Sequence, residues 1–177
     1  MGAGPVGLTA AEILGSVGIP VVVIEKGPTP NQEWRASTFH AATLELLEET
    51  GLTSELLTQG LMANTIQYRD RKTGLFAEFD CRLIADETRY PFRLQCPQST
   101  YTRVVYERTK DNSQVTVLFG LRVDDVVQDA EGVTVHVTNK NGGHETFRGS
   151  YVLGADGARS TVRKSLGFGF DGYTLEE

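Results

Sequence analysis

Gly2-Ala3-Gly4-Pro5-Val6-Gly7 stands at the head of the chain, and Glu25 follows 18 positions after the last of these glycines, closing the apolar run Val21-Val22-Val23-Ile24. Few folds accommodate that spacing, because each residue type answers a separate physical demand. Gly2 makes a tight strand-to-helix turn, Gly4 leaves room for a pyrophosphate against the backbone, and Gly7 lets the helix pack closely on the sheet. The phosphates would sit on free N–H groups at a helix N-terminus, where the dipole favours negative charge. Glu25 would accept hydrogen bonds from adenosine ribose hydroxyls, and its charge would repel a 2′-phosphate. Together these features read as a site for an adenine dinucleotide. Only Met1 precedes Gly2, so the parallel strand that normally feeds such a turn is expected to be absent, and the sequence reads as a piece of a longer protein.

Along the chain, residues 5–17 are expected to be helical, with Gly7 and Ala11 on one face and Leu8 and Leu14 available for packing. Gly18 would end this helix, and Pro20 prevents its continuation. Val21–Glu25 reads as a buried strand, since its apolar character is continuous. Gly27-Pro28-Thr29-Pro30 is a loop by composition. Leu44 and Leu47 mark a helix over about His40–Thr50 with Gly51 after it, and a second short helix is expected over Leu52–Leu61. Ile66–Asp70 and Leu75–Phe79 read as strands around the turn Lys72-Thr73-Gly74. Pro91 and Pro97 close this excursion, and Gln98–Thr109 returns to helix with Ser99 as its expected N-cap.

Closely spaced strands follow at Val115–Phe119, Arg122–Gln128 and Val133–Thr138. In the last of these, Val133, Val135 and Val137 point inward and Thr134, His136 and Thr138 outward. Glycines in the turns Asp129–Gly132 and Asn141–Gly143 suit an antiparallel meander ending near Phe147. Tyr151-Val152-Leu153 reads as a final short strand. The expected fold class is α/β: a Rossmann-like dinucleotide-binding fold with an antiparallel β-meander and part of a second β layer, lacking the first strand. The expected division is 1–65 as the first part of the nucleotide-binding domain, 66–97 as an excursion into a second, partly antiparallel layer, and 98–177 as the second part.

Charge and composition exclude several functions. A net charge of −6 over 177 residues argues against a nucleic-acid surface. No apolar stretch is long enough to span a membrane, and the N-terminus lacks a signal-peptide pattern. Cys81 and Cys96 offer no disulfide framework and no CxxC motif, so reduced thiols in a cytoplasmic protein are expected. His40, His136 and His144 show no metal-ligand spacing, and no metal site is expected.

The second informative motif follows the last expected strand. Gly154-Ala155-Asp156-Gly157-Ala158-Arg159-Ser160-Thr161-Val162-Arg163 is another strand-to-helix turn, in which Asp156 can accept from hydroxyls and Arg159 and Arg163 carry fixed positive charge. An alternative reading is a glycine-rich loop capped by an aspartate, with the arginines on a solvated face.

With the first turn, the meander and this motif in that order, the sequence resembles the FAD-dependent aromatic hydroxylases, the single-component flavoprotein monooxygenases similar to para-hydroxybenzoate hydroxylase. The resemblance covers nearly the whole chain as the N-terminal part of such a protein. It implies that Gly2, Gly4, Pro5, Val6 and Gly7, with Glu25 and Lys26, hold the ADP half of FAD. It implies that Asp156, Gly157 and Arg159 lie beside the flavin and the path of a nicotinamide cofactor. Arg35, in Trp34-Arg35-Ala36, resembles an arginine that reaches FAD, and Gln98, in Pro97-Gln98-Ser99, resembles a glutamine that contacts it.

The activity so implied is oxidoreductase chemistry: NADH or NADPH reduces the flavin, and an OH group from O2 is delivered to a small aromatic or polycyclic substrate. The flavin carries that chemistry, so no catalytic side chain is assigned. Arg159 and Arg163 are candidates for the transient nicotinamide site, and Tyr90-Pro91-Phe92-Arg93-Leu94 for the substrate cavity or, alternatively, for strand and core. The substrate and the oligomeric state are not readable. Two other readings remain open: a non-catalytic remnant of the same family, and an NAD-dependent dehydrogenase, which would show successive β-α units after Glu25.

Overall fold

The computed structural model describes residues 1–33 and 35–173; Trp34, beside Arg35 in its motif, and residues 174–177, the end of the expected last segment, lie outside the described residues. The elements begin with α1 (Pro5–Ser16), β1 (Val21–Glu25), β2 (Thr38–Phe39), α2 (Ala41–Glu48), α3 (Leu52–Gln59), β3 (Leu61–Ala63), β4 (Thr65–Asp70) and β5 (Gly74–Asp80). A 3-10 turn at Cys81–Ile84 leads to β6 (Arg93–Gln95), α4 (Gln98–Thr109) and β7 (Val115–Phe119). The chain continues through β8 (Leu121–Asp129), β9 (Gly132–Asn139), β10 (His144–Gly149) and the short α5 (Thr161–Ser165). It divides into two compact units, Met1–Asn31 with Tyr106–Glu177, and Gln32–Val105.

In the first unit, α1 starts at Pro5 because proline lacks the N–H that the first helical position leaves unbonded anyway. It ends where Gly18 takes φ 80°, with Ile19 N–H donating to the Leu14 carbonyl and Gly18 N–H to that of Gly15. That double bond pattern is a Schellman cap, available cheaply only to glycine at the left-handed position. β1 pairs in parallel with β7, Val21 opposite Val115 and Glu25 opposite Phe119. On the other side of β1, Gly2 N–H donates to the Ile24 carbonyl at 2.8 Å. The Met1 nitrogen donates to the Leu153 carbonyl at 2.6 Å, and Ala155 N–H donates back to the Met1 carbonyl at 2.9 Å. That spacing is a parallel ladder. Met1 and Gly2 thus lie between β1 and residues 153–155. No regular strand is assigned over Tyr151–Leu153; the ladder to Met1 is made by the Leu153 carbonyl and the Ala155 N–H.

β8, β9 and β10 form the antiparallel meander, with a register shift in β8 between Val123 and Asp125. The expected alternation in β9 holds: Val133, Val135 and Val137 are buried while His136 is exposed. They join Ile24, Val126 and Val162 in one hydrophobic cluster. Each such side chain contributes about 1.5–3 kcal/mol when fully buried.

The approach of α1 to the sheet depends on a glycine outside the motif. A Cβ on Gly15 would lie 2.5 Å from Val115 Cγ2 and 2.8 Å from Asn112 Nδ2. Nearby, Glu12 on α1 is only 8% exposed, and Arg108 Nε donates to its carboxylate at 3.0 Å. Arg108→Met would leave that carboxylate without its counter-charge in a largely dry position. Because Arg108 is itself partly exposed, the loss should be about 1.5 kcal/mol, below that for a fully buried pair. A fall of about 4 °C in Tm is the expected readout, and an unchanged melt would place the Glu12 charge in water.

In the second unit, α2 and α3 pack through Leu44, Leu47, Leu52 and Leu56, all buried. Both helices are shorter than their expected spans. Gly51 turns the chain between them at φ 73°, and Gly60, bonded to the Leu56 carbonyl, ends α3. β6 is the centre of a small antiparallel sheet in the order β2-β6-β3, and β4 and β5 make a separate hairpin. Leu94 on β6 is fully buried, while Tyr90 and Phe92 meet edge to face with ring centroids 6.1 Å apart. α4 begins at Gln98, one residue before Ser99, so Ser99 lies within the first turn and is not the cap. The Pro97 carbonyl instead accepts the Thr100 and Tyr101 N–H groups. Cys81 and Cys96 are free thiols, and burial pushes the Cys96 thiol up from its ordinary range.

Candidate nucleotide-binding site

The site is built where two turns meet inside the first unit. Gly2 adopts φ 93°, and a Cβ there would drive into the carbonyl of Ala155 and lie 3.3 Å from Asp156 Cα. A Cβ on Gly7 would overlap the Gly2 carbonyl oxygen and reach 3.4 Å from Ala155 Cβ. The two outer glycines therefore let the first turn, the helix start and the Ala155-Asp156 backbone share one small volume. Gly4 differs. It has φ −83° and ψ −176°, which any residue can adopt, and a Cβ there would meet nothing within 4 Å.

Gly4 is the N-cap of α1, no side chain caps this helix end, and no acidic residue stands in its first turn. The first N–H groups of a helix have no partner within the helix. They are thus left pointing toward the open space beside Gly4, with the positive end of the helix dipole behind them. A pyrophosphate fits this cradle, in that the volume a side chain at Gly4 would fill is vacant and the donors are of the right kind.

The two acidic residues are held by backbone amides. Glu25 Oε2 accepts from Ala3 N–H at 2.9 Å and Oε1 from Gly27 N–H at 2.8 Å. Asp156 accepts from the Ser160 hydroxyl at 2.6 Å, from Thr161 N–H at 2.6 Å and from Val162 N–H at 3.3 Å, bracing the start of α5. Burial works to raise the Asp156 pKa, but the Ser160 hydroxyl and the Val162 and Thr161 N–H groups outweigh it, and the carboxyl is held below its ordinary value. Gly157 turns the loop at φ 79°, and a Cβ on Gly154 would lie 3.1 Å from Val162 Cβ.

The structure brings Gly2, Gly4, Pro5, Val6, Gly7 and Glu25 together with Asp156 and Gly157. Val6, Lys26 and Arg159 are exposed around them. Arg163 donates to the Phe168 carbonyl at 3.1 Å and lies 5.0 Å over the Phe170 ring. Arg35 and Gln98 belong to the second unit, where Arg35 pairs with Glu33 at 2.7 Å and Gln98 N–H donates to the Ala36 carbonyl at 2.7 Å. Sequence reasoning did not single out Ala3, Gly27 or Ala155. Gly27 carried a signal, a glycine two residues past the acid at the end of a strand, but its Pro-rich surroundings made it look like ordinary loop.

A glycine-lined turn against an acid-braced second turn, with parallel β1–β7 pairing and a meander between them, defines a flavin-nucleotide domain. The chain belongs to the FAD binding domain family, which it matches over residues 1–175. It is similar to a para-nitrophenol 4-monooxygenase of Pseudomonas sp. (strain WBC-3), with 34% identity over the whole chain and 44% of that protein. It is also similar to a 3-(3-hydroxy-phenyl)propionate/3-hydroxycinnamic acid hydroxylase of Paraburkholderia xenovorans (strain LB400). There the identity is 36% over 98% of the chain and 28% of the relative. Among solved structures, p-nitrophenol 4-monooxygenase from Pseudomonas putida superposes with a TM-score of 0.94 at 32% identity, covering 98% of this chain and 44% of that one. The chain thus spans less than half the length of these relatives. The dehydrogenase reading called for β-α units after Glu25, and the meander stands against it. Among the described residues, no helix is long and apolar enough to cross a membrane.

Proposed function

We propose that this chain is the cofactor-gripping portion of an FAD-dependent monooxygenase that hydroxylates an aromatic or polycyclic ring with O2 and NADH or NADPH. The observation that carries the proposal is the fusion of the two turns, in which Gly2 and Gly7 have no room for a side chain while Gly4 faces open space. Phenolic substrates in the names of the similar enzymes support the aromatic class. In this reading the protein is cytoplasmic, and its segments 1–65, 66–97 and 98–177 serve as first nucleotide-binding part, substrate-domain excursion and second nucleotide-binding part.

Bound FAD would supply hydride acceptance and oxygen activation. The chain's own residues supply position. The N–H groups after Gly4, with Pro5, Val6 and Gly7 in the first helical turn, hold the pyrophosphate. Glu25 and Lys26 face the adenosine end. Arg35 and Gln98 add the further cofactor contacts that the resemblance implies, and Asp156, Gly157 and Arg159 hold the flavin side, with Arg159 and Arg163 as the cations for a phosphate of the nicotinamide cofactor.

The test is to add FAD to purified protein and record its visible spectrum and flavin fluorescence. Near-stoichiometric bound oxidised flavin is expected, and a protein that stays colourless and rejects FAD would support the remnant reading instead. Gly4→Val sharpens the test. Its backbone angles suit valine and nothing crowds the side chain, so the melt should stay within about 2 °C of the parent. FAD affinity should fall at least about a hundredfold, because the branched side chain occupies the phosphate's volume. Unchanged affinity would remove the pyrophosphate from this turn.

A further inference from the structure

We propose that Glu25 is a positioning residue for the phosphate-binding turn, acting on the backbone before any ligand arrives. The proposal rests on the cofactor reading above and adds a second task to the one the sequence pattern implies, contact with a ribose. Glu25 ends β1, and its two carboxylate oxygens reach in two directions: Oε2 takes the N–H of Ala3, inside the glycine-rich turn, and Oε1 takes the N–H of Gly27, on the loop that leaves β1. Ala3 is buried, so its N–H has no easy replacement in water. The residue before it, Gly2, is fixed by the Ile24 carbonyl, and the residue after it, Gly4, opens α1. The Glu25–Ala3 bond therefore sets the direction in which the chain enters the helix, and with it the aim of the N–H groups beyond Gly4.

A consequence concerns the phosphate donors. The Ala3 N–H is committed to Glu25, so phosphate recognition falls to the N–H groups from Gly4 onward, Pro5 having none. The remaining lone pairs of the carboxylate stay free for hydroxyls, since each oxygen has so far accepted one hydrogen bond. Only an acceptor at both oxygens performs both tasks. An amide presents one carbonyl oxygen and one NH2 group, so Glu25→Gln would set a donor against either the Ala3 or the Gly27 N–H.

The experiment uses the unliganded chain and its variants Glu25→Gln and Glu25→Asp, the last a methylene too short to span both amides. Thermal melts establish that each variant is folded. Amide hydrogen exchange is read at Ala3 and Gly27, and calorimetry gives affinities for inorganic pyrophosphate and for ADP. The expected result is faster exchange at one or both amides in each variant. Pyrophosphate affinity should fall about tenfold, the equivalent of one hydrogen bond, and ADP affinity by at least the same factor. Pyrophosphate contains no ribose, so a residue that only contacts ribose would weaken ADP and leave pyrophosphate untouched, and that result overturns the proposal. Unchanged exchange at both amides overturns it as well. Parent protein that binds neither FAD nor pyrophosphate would sink the cofactor reading, while amide exchange would still decide whether Glu25 shapes the turn.

Discussion

Gly7→Ala should unfold the first unit at temperatures the parent survives easily. The added methyl group would overlap the Gly2 carbonyl oxygen, a backbone atom, and Gly2 cannot retreat because its N–H is bonded to the Ile24 carbonyl and the Ala155 carbonyl closes the space where a Cβ of Gly2 would stand. A flexible side chain could turn away; a carbonyl whose own peptide N–H, that of Ala3, is held by Glu25 cannot. Overpacking of this kind costs about 3 kcal/mol, a large share of the 5–15 kcal/mol or so that holds a typical domain together. Tm should fall by about 10 °C for a chain of this size. The contrast with Gly4→Val is the informative part: of two glycines three residues apart, the first tolerates a larger side chain at the expense of ligand and the second rejects even a methyl at the expense of fold. Equal stability of the two variants would show that α1 does not start against Gly2.

Asp156→Ala should have the next largest effect. It strips the acceptor from the Ser160 hydroxyl and from the Thr161 and Val162 N–H groups, and Val162 anchors α5 in the hydrophobic cluster. Ser160 remains the N-cap of α5, but stranding two N–H groups of its first turn costs about as much as losing a cap, about 0.5–2 kcal/mol, and the stranded hydroxyl brings the total to about 2.5 kcal/mol, or about 8 °C in Tm. The pH dependence has a definite sign. The folded pKa lies below its unfolded value, so the stabilisation is complete above the ordinary carboxylate pKa near about 3.9 and disappears as pH falls through the depressed folded value. Comparing Asp156→Asn with the parent should give a constant difference in Tm from neutral pH down to about pH 4, narrowing below it. A difference that narrowed above pH 6 would mean another group titrates with the turn.

Much of this arrangement is legible in residue types alone. The bounds of α1 follow from Pro5 and Gly18, the burial of β9 from valines at every second position, and the second turn from Gly154 to Arg163. What escapes is whatever depends on distant partners. Gly15, outside the motif, makes a second close contact, with Val115 on β7, beside the one Gly7 makes with Gly2 and Ala155. β7 reads as one more strand in a run of strands, and only Val21 opposite Val115 reveals it as the parallel neighbour of β1. The inward commitment of Glu25 and Asp156 is likewise invisible in sequence, since an acid awaiting a ligand hydroxyl and one bonded to a nearby amide have the same letter. In unit two, the two-residue β2 is too short to carry any periodic signal.

The bond joining Met1 to Leu153 spans 152 positions of the polypeptide, and the one to Ala155 closes the same loop. Closing so wide a loop is entropically costly and gains nothing until the ends meet. The local pieces, α1 against β1 and the meander with itself, can condense early, whereas the junction that unites the nucleotide cradle must come last. During synthesis on a ribosome, the phosphate grip would stay unformed until residue 155 has emerged, however long the glycine turn has been waiting.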